Sequence, residues 1–173
     1  MSNRTAHAPF RLAAGDVERY ARLRRRMLDD SPWAFSASPE DDRALDLAAL
    51  KEQLGEQEFA IVGVEATPGG ELAAVTGVVR ARERKFAHRA IIWGVFVAPE
   101  HRGRGLGRAV MTAAIDLARS WPGVDYVDLA VSVRSPEAQA LYESLGFVAW
   151  GRQPEATAHE GRRYDEIHMS LRL

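Results

Sequence analysis

One stretch constrains the fold more than any other: Val95-Phe96-Val97-Ala98-Pro99-Glu100-His101-Arg102-Gly103-Arg104-Gly105-Leu106-Gly107-Arg108. An apolar, strand-like run passes through a turn of alternating Arg and Gly into an amphipathic helix. That helix, expected over Gly105 to Ser120, places Leu106, Val110, Ala113, Ala114 and Leu117 on one side. A strand feeding a helix in this way belongs to layered α/β or α+β proteins. Such a turn leaves several backbone N–H groups free at the helix N-terminus. These donors, the helix dipole and the nearby arginines together make a site for a phosphate or pyrophosphate.

The rest of the chain supplies the layers. At 173 residues and 46% hydrophobic content it suits one globular domain. We expect a flexible segment over residues 1–9 and a single domain over 10–173. Phe10-Arg11-Leu12 reads as a short strand. Asp16 caps a helix to about Asp30 that buries Val17, Tyr20, Leu23 and Met27, with Arg24, Arg25 and Arg26 on a solvated face. A second helix is expected from about Pro39 to Leu54. Phe59 to Glu65 and Leu72 to Arg82 form a hairpin around Pro68-Gly69-Gly70. Ala90 to Ala98 and Tyr126 to Val133 are apolar enough to be strands buried on both faces. Ser135-Pro136 opens a helix as cap and first residue, with Ala138, Leu141, Tyr142 and Leu145 as its apolar stripe and Gly146 as its stop. A strand starts at Phe147 to Trp150, and Tyr164 to Leu173 is another, with Ile167, Met169, Leu171 and Leu173 on one face.

Composition excludes several functions. A formal net charge of −1 argues against nucleic-acid binding as the main task. With no cysteine there is no disulfide, thiolate metal site or Cys nucleophile. The five histidines show no metal-ligand spacing, so no metal is expected. No apolar run approaches the roughly 20 residues of a membrane span, and Met1 to Pro9 lacks the apolar core of a secretory signal. A cytoplasmic protein without a membrane partner is expected.

The Arg-Gly turn fails two common phosphate motifs. A P-loop needs Gly-Lys followed by Ser or Thr, which the chain lacks. The dinucleotide fingerprint needs G-x-G-x-x-G on the first βα unit, whereas Gly103, Gly105 and Gly107 are spaced G-x-G-x-G, after about four strands. What remains, Arg102-x-x-Gly105-x-Gly107 directly after a buried strand, resembles the acyl-CoA-binding motif of the GNAT acyltransferases, N-acetyltransferases that use acetyl-CoA. Leu129 to Phe147 is similar to the family's second signature, with a capped helix, Ala138, Tyr142 and Gly146-Phe147. The likeness covers roughly residues 10–173.

The resemblance implies a GNAT-type fold: a mixed, mostly antiparallel sheet splayed between its fourth and fifth strands and flanked by about four helices. It implies acetyl-CoA as co-substrate and an amine as acceptor. Val95, Phe96 and Val97 would pair with the pantetheine arm. Gly103, Arg104, Gly105, Leu106, Gly107 and Arg108 would hold the pyrophosphate through main-chain N–H groups, with Arg102, Arg104 and Arg108 adding charge. An N–H near Val95 would receive the oxyanion, and Tyr142 would donate a proton to the leaving thiolate. Two positions depart from the family's pattern. Ser135 stands where Asn is frequent, which weakens a contact to the pantetheine arm. Ala130 stands where some members carry a Glu base. Asp128, Glu83, His88, Glu166 and His168 are the other candidates for a base, beside a water relay. Trp33, Phe35, Trp93, Trp150 and Tyr164 are candidate walls for the acceptor. The departures leave room for a second reading, a non-catalytic acyl-CoA-binding regulatory module on the same fold. A homodimer is common among members of the family.

Overall fold

The computed structural model describes residues 8–173, so the segment expected to be loose lies, but for Ala8 and Pro9, outside the described residues. In chain order the elements are β1 (Phe10–Arg11), α1 (Val17–Asp30), α2 (Leu47–Gln53), β2 (Phe59–Glu65), β3 (Leu72–Arg80), β4 (Arg89–Val97), α3 (Leu106–Ser120), β5 (Tyr126–Ser132), α4 (Pro136–Ser144), β6 (Val148–His159) and β7 (Arg162–Arg172). The seven strands form one sheet in the order β1-β2-β3-β4-β5-β7-β6. Every neighbouring pair is antiparallel except β4 and β5.

Apolar side chains alternate across these strands and feed two cores. On one face Tyr20, Leu23 and Met27 of α1 and Leu50 of α2 pack on Ile61, Val75 and Phe96. On the other, Val110, Met111, Ala114 and Ala118 of α3 pack with Val62, Val78, Ile92 and Val127, and Tyr142 of α4 with Leu129, Val131 and Met169. Each fully buried Val, Leu or Ile side chain stabilises such a core by about 1.5–3 kcal/mol.

The two faces are covered unequally. Helices α1 and α2 lie over β1 to β4 only. Next to them much of the same face of β5, β7 and β6 is open, with Ile91 43%, Val148 68% and Trp150 66% exposed; the 3₁₀ turn at Pro32–Ala34 reaches only parts of β5 and β6. β4 and β5 are therefore not buried on both faces as expected; Ala130 is exposed and Asp128 half-buried. On β4, Trp93 and Phe96 join the α1 core while Ile91 stays exposed; on β5 the side chains of Asp128 and Ala130 belong to neither core.

β4 and β5 pair over Arg89↔Tyr126, Ala90↔Val127 and Ile91↔Asp128 and then part. The foot of the opening is fastened by Arg89, whose guanidinium donates to both oxygens of Asp128 at 2.5 and 2.7 Å. Ser170 Oγ of β7 donates to the same carboxylate at 2.5 Å. Further along, β4 carries a bulge: Trp93 faces Gly77 and Phe96 faces Val75, so Gly94 and Val95 share one opposing residue, Thr76. Gly94 sits at φ +62, a region that side chains oppose, and a bulge adds local twist. A Cβ at Gly94 would stand 3.1 Å from Arg24 Nη1.

Arg24 corrects the expectation of a solvated arginine face. It is buried (5% exposed), with Nε donating to Asp42 Oδ2 at 2.6 Å and its guanidinium 5.8 Å from the Trp93 ring centre and 5.9 Å from that of Phe35. The second helix is also shorter than expected. Asp46 accepts from the N–H groups of Ala48 and Ala49 and caps α2 there, leaving a 3₁₀ turn at Arg43–Leu45 before it. β6 runs on to His159 through a register shift around Glu155, itself at φ +51. Removing Arg24 leaves the Asp42 carboxylate buried and unpaired. Arg24→Met is expected to lower unfolding free energy by about 3–5 kcal/mol in urea titrations, and adding Asp42→Asn to recover part of the loss.

Candidate active site

The Arg-Gly turn takes the shape its glycines permit. Gly103 and Gly105 stand at φ +73 and +77, left-handed values that cost other residues about 1–2 kcal/mol. The turn ends at Gly105, whose carbonyl accepts from Ala109 N–H. The N–H groups of Leu106, Gly107 and Arg108 precede the first bonded turn of α3 and point out of its N-terminus. With the helix dipole they form an anion-binding end.

That end opens into a cavity of 520 Å³ between β4, α3, α4 and the segment after α1. Eleven of the twelve expected cofactor residues line it: Val95, Phe96, Val97, Arg102, Gly103, Gly105, Leu106, Gly107, Arg108, Ser135 and Tyr142. Arg104 does not. The arginine charge is also less free than expected. Arg102 is ion-paired with Asp30 at 2.5 Å and donates to the Val97 carbonyl at 3.1 Å. Arg108 donates to Ser144 Oγ at 2.6 Å. Ser135 occupies the cap position of α4, but its hydroxyl makes no capping bond. Its carbonyl instead accepts from Ala138 and Gln139. His101, not singled out from sequence, lines the same cavity with a buried Nδ1 that has no partner.

A slot of 80 Å³ lies where β4 and β5 part. Gly94 and Val95 of the bulge form one side, Ala130 to Ser132 the other, and Tyr142 borders both slot and cavity. Tyr142 is buried, and burial pushes its phenol up, so it stays protonated at neutral pH. Its hydroxyl has no partner among the described residues. Gly94 was the missed residue here; a lone glycine inside an apolar strand is the signal for a bulge.

Beyond the slot, on the open face, lies a second chamber of 920 Å³ lined by Phe86, Ile91, Asp128, Trp150, His168 and Ser170 among others. Leu129 and Ala130 border both slot and chamber. The aromatic wall candidates are dispersed along this path. Trp33 and Phe35 line the cavity, Phe35 and Trp93 the slot, and Trp150 the chamber. Tyr164 lines none of them and instead stacks on Arg134, whose guanidinium lies 5.6 Å from it and 4.9 Å from Trp33. No cluster of three or more metal-ligating side chains occurs among the described residues.

The sheet thus opens between parallel neighbours, with a glycine-shaped helix N-terminus at one mouth and a buried tyrosine in the gap. The chain belongs to the acetyltransferase (GNAT) family, whose sequence model matches residues 20–147. It is 34% identical over 95 residues to a spermidine N(1)-acetyltransferase of Vibrio cholerae, covering 55% of each chain. It is 31% identical over 138 residues to the N-alpha-acetyltransferase RimI of Mycobacterium tuberculosis, covering 79% of this chain and 75% of that one. The chain spans about half the length of curated relatives such as the Vibrio enzyme. The fold matches yncA of Salmonella typhimurium, solved with its cofactor acetyl-CoA, with a TM-score of 0.78 at 22% identity over 99% of this chain and 95% of that one. Among the described residues no helix is long and apolar enough to cross a membrane.

The tie between α1 and the turn is titratable. Burial alone would raise the Asp30 carboxyl, but the hydrogen bonds of Arg102 and Ser31 and the charges of Arg102 and Arg26 bring it below its ordinary value. A carboxyl lowered on folding stabilises above its unfolded value of about 3.9 and loses that contribution as pH falls through the folded value. Wild type is therefore expected to exceed Asp30→Asn by about 0.5–1 kcal/mol at pH 6. In thermal melts from pH 7 to 3 that advantage fades only below about pH 4.

Proposed function

We propose that the chain is a cytoplasmic N-acetyltransferase that moves an acetyl group from acetyl-CoA to a primary amine by direct attack in a ternary complex. The observation that carries this reading is a run of three cavities that share walls: Val95 and Tyr142 border both the cavity at the α3 N-terminus and the slot, and Leu129 and Ala130 border both the slot and the chamber. A donor in the cavity and an acceptor in the chamber would meet at the gap between β4 and β5. The donor set fits the phosphate end of acetyl-CoA: open main-chain N–H groups at Leu106 to Arg108 and a cavity long enough to continue along Val95 to Val97. With Arg102 held by Asp30, the main chain supplies most of the phosphate contact.

In the gap the amine nitrogen bonds to the thioester carbonyl carbon and the C–S bond breaks. The bulge presents main-chain groups of Gly94 and Val95 to the oxyanion. The Tyr142 hydroxyl gives its proton to the departing sulfur and regains one from solvent. A phenol kept protonated by burial and unpaired at the gap suits a donor, and a pure binding module has no need of one; this favours the transferase over the regulatory reading. The amine chemistry named for relatives such as the Vibrio spermidine enzyme points the same way.

The test is thiol release from acetyl-CoA with spermidine, L-methionine, 2-phenylethylamine and a short peptide with a free N-terminal alanine. The protein has no cysteine, so a thiol reagent reads only free CoA. Turnover with one amine class is expected, with kcat lowered about 10²-fold or more in Tyr142→Phe. Saturable acetyl-CoA binding without turnover on any amine would contradict the reading. Gly105→Val, which forces a β-branched residue into a left-handed turn, is expected to weaken acetyl-CoA binding at least tenfold by calorimetry, a change of about 1.4 kcal/mol.

A further inference from the structure

Of the titratable side chains that line the chamber on the open sheet face, His168 is the one whose strand neighbour also borders the slot. His168 of β7 stands in register with Ala130 of β5, so the two side chains rise side by side on that face. The imidazole is half-buried, its ring centre 5.3 Å from that of Trp150. Its Nε2 lies 3.1 Å from Gln153 Oε1 on β6. With Nε2–H donating to that amide oxygen, the tautomer is fixed and Nδ1 keeps its lone pair. Ala130, whose methyl group leaves the space beside the imidazole open, borders both the chamber and the slot.

The neighbouring groups are placed or paired otherwise. Asp128, two residues back along β5, is held by Nε and Nη2 of Arg89 and by the Ser170 hydroxyl. His88 and Glu83 line the far end of the chamber, and His88 stacks edge-on against Tyr126. Seven residues separate His88 from Val95, about 23 Å of strand. Glu166, the next side chain along the same face of β7, lines neither slot nor chamber. By register, Glu166 on β7 and Asp128 on β5, the latter paired with Arg89, share the face of His168. Ala130, paired with His168 across β5 and β7, also lines the slot whose facing wall holds Gly94 and Val95, which sets the imidazole one strand away from the gap.

We propose that His168 is the general base of the reaction, accepting the proton of the attacking amine at Nδ1 directly or through one water, with Gln153 as the residue that positions it. The assignment rests on the transferase reading. As the C–N bond forms and the C–S bond breaks, the amine proton goes to His168 and the sulfur takes its proton from Tyr142. His168 then releases its proton to solvent, and Tyr142 is reprotonated from solvent. The apolar lining of Phe86, Ile91 and Trp150 makes an amine on an apolar body, such as 2-phenylethylamine, the first probe.

The experiment compares wild type, His168→Gln and Gln153→Leu across pH 5–9 with whichever of the four amines is turned over. For His168→Gln, kcat/KM for the amine is expected to fall about 100-fold or more, with KM for acetyl-CoA unchanged. The acid limb of the pH profile that an ionising base imposes should vanish with it. Gln153→Leu keeps the imidazole but removes the acceptor that favours its charged form, so the limb should move to lower pH. A His168→Gln enzyme within threefold of wild type, with the same acid limb, would overturn the assignment and leave the transferase reading intact. No turnover by wild type with any amine would overturn the transferase reading, and this assignment with it.

Discussion

β4 and β5 are joined over three residue pairs and no more. A parallel pairing that stops in the middle of a sheet leaves main-chain donors and acceptors without strand partners, and such groups are costly unless something satisfies them. Here the foot of the gap is fixed by the Arg89–Asp128–Ser170 cluster. One wall is turned by the bulge at Gly94, and the other is held straight by the pairing of β5 with β7 from Tyr126 to Ser132. The opening is therefore built into the strands and owes nothing to a mobile loop. In the proposed reading, a pantetheine arm lying along Val95 to Val97 supplies the missing partners as an added strand.

The electrostatics around α1 serve the same geometry. Arg24 and Asp42 are buried beneath the bulge, while Arg26 pairs with Glu100 and Arg102 with Asp30. Three ion pairs thus fasten α1 to the segments that line the cavity. The hydrogen bond and charge of Arg26 hold the Glu100 carboxyl down, to about 2. Arginines that look like phosphate ligands in a motif are, in this fold, partly structural. In the proposed reading the pyrophosphate contact then falls to the main chain of α3, which needs no side chain to be correctly placed.

The parts legible in the sequence were those whose causes are local. The Arg-Gly turn declares itself within fourteen residues because strand, glycines and helix are contiguous. Tyr142 followed from helical spacing together with family likeness. Other features depend on distant residues. Arg24 sits in a run of three arginines that any local pattern assigns to solvent; its partner Asp42 arrives from a loop eighteen residues on. Ile91 and Ile92 point to opposite faces and both are apolar, so β4 reads as covered on each face, yet Ile91 stays 43% exposed. The pairing of His168 with Ala130 depends on the register of strands nearly forty residues apart, which alternation within one strand does not reveal.

The central claim is that one path crosses the sheet at the β4–β5 gap and brings the thioester to Tyr142. A crystal structure of the protein with CoA tests it most directly. The account requires the pyrophosphate against the N–H groups of Leu106 to Arg108, the pantetheine arm beside Val95 to Val97, and the sulfur in the slot within hydrogen-bond reach of the Tyr142 hydroxyl. CoA bound along another surface, or a sulfur directed away from the gap with β4 and β5 closed upon each other, would contradict it.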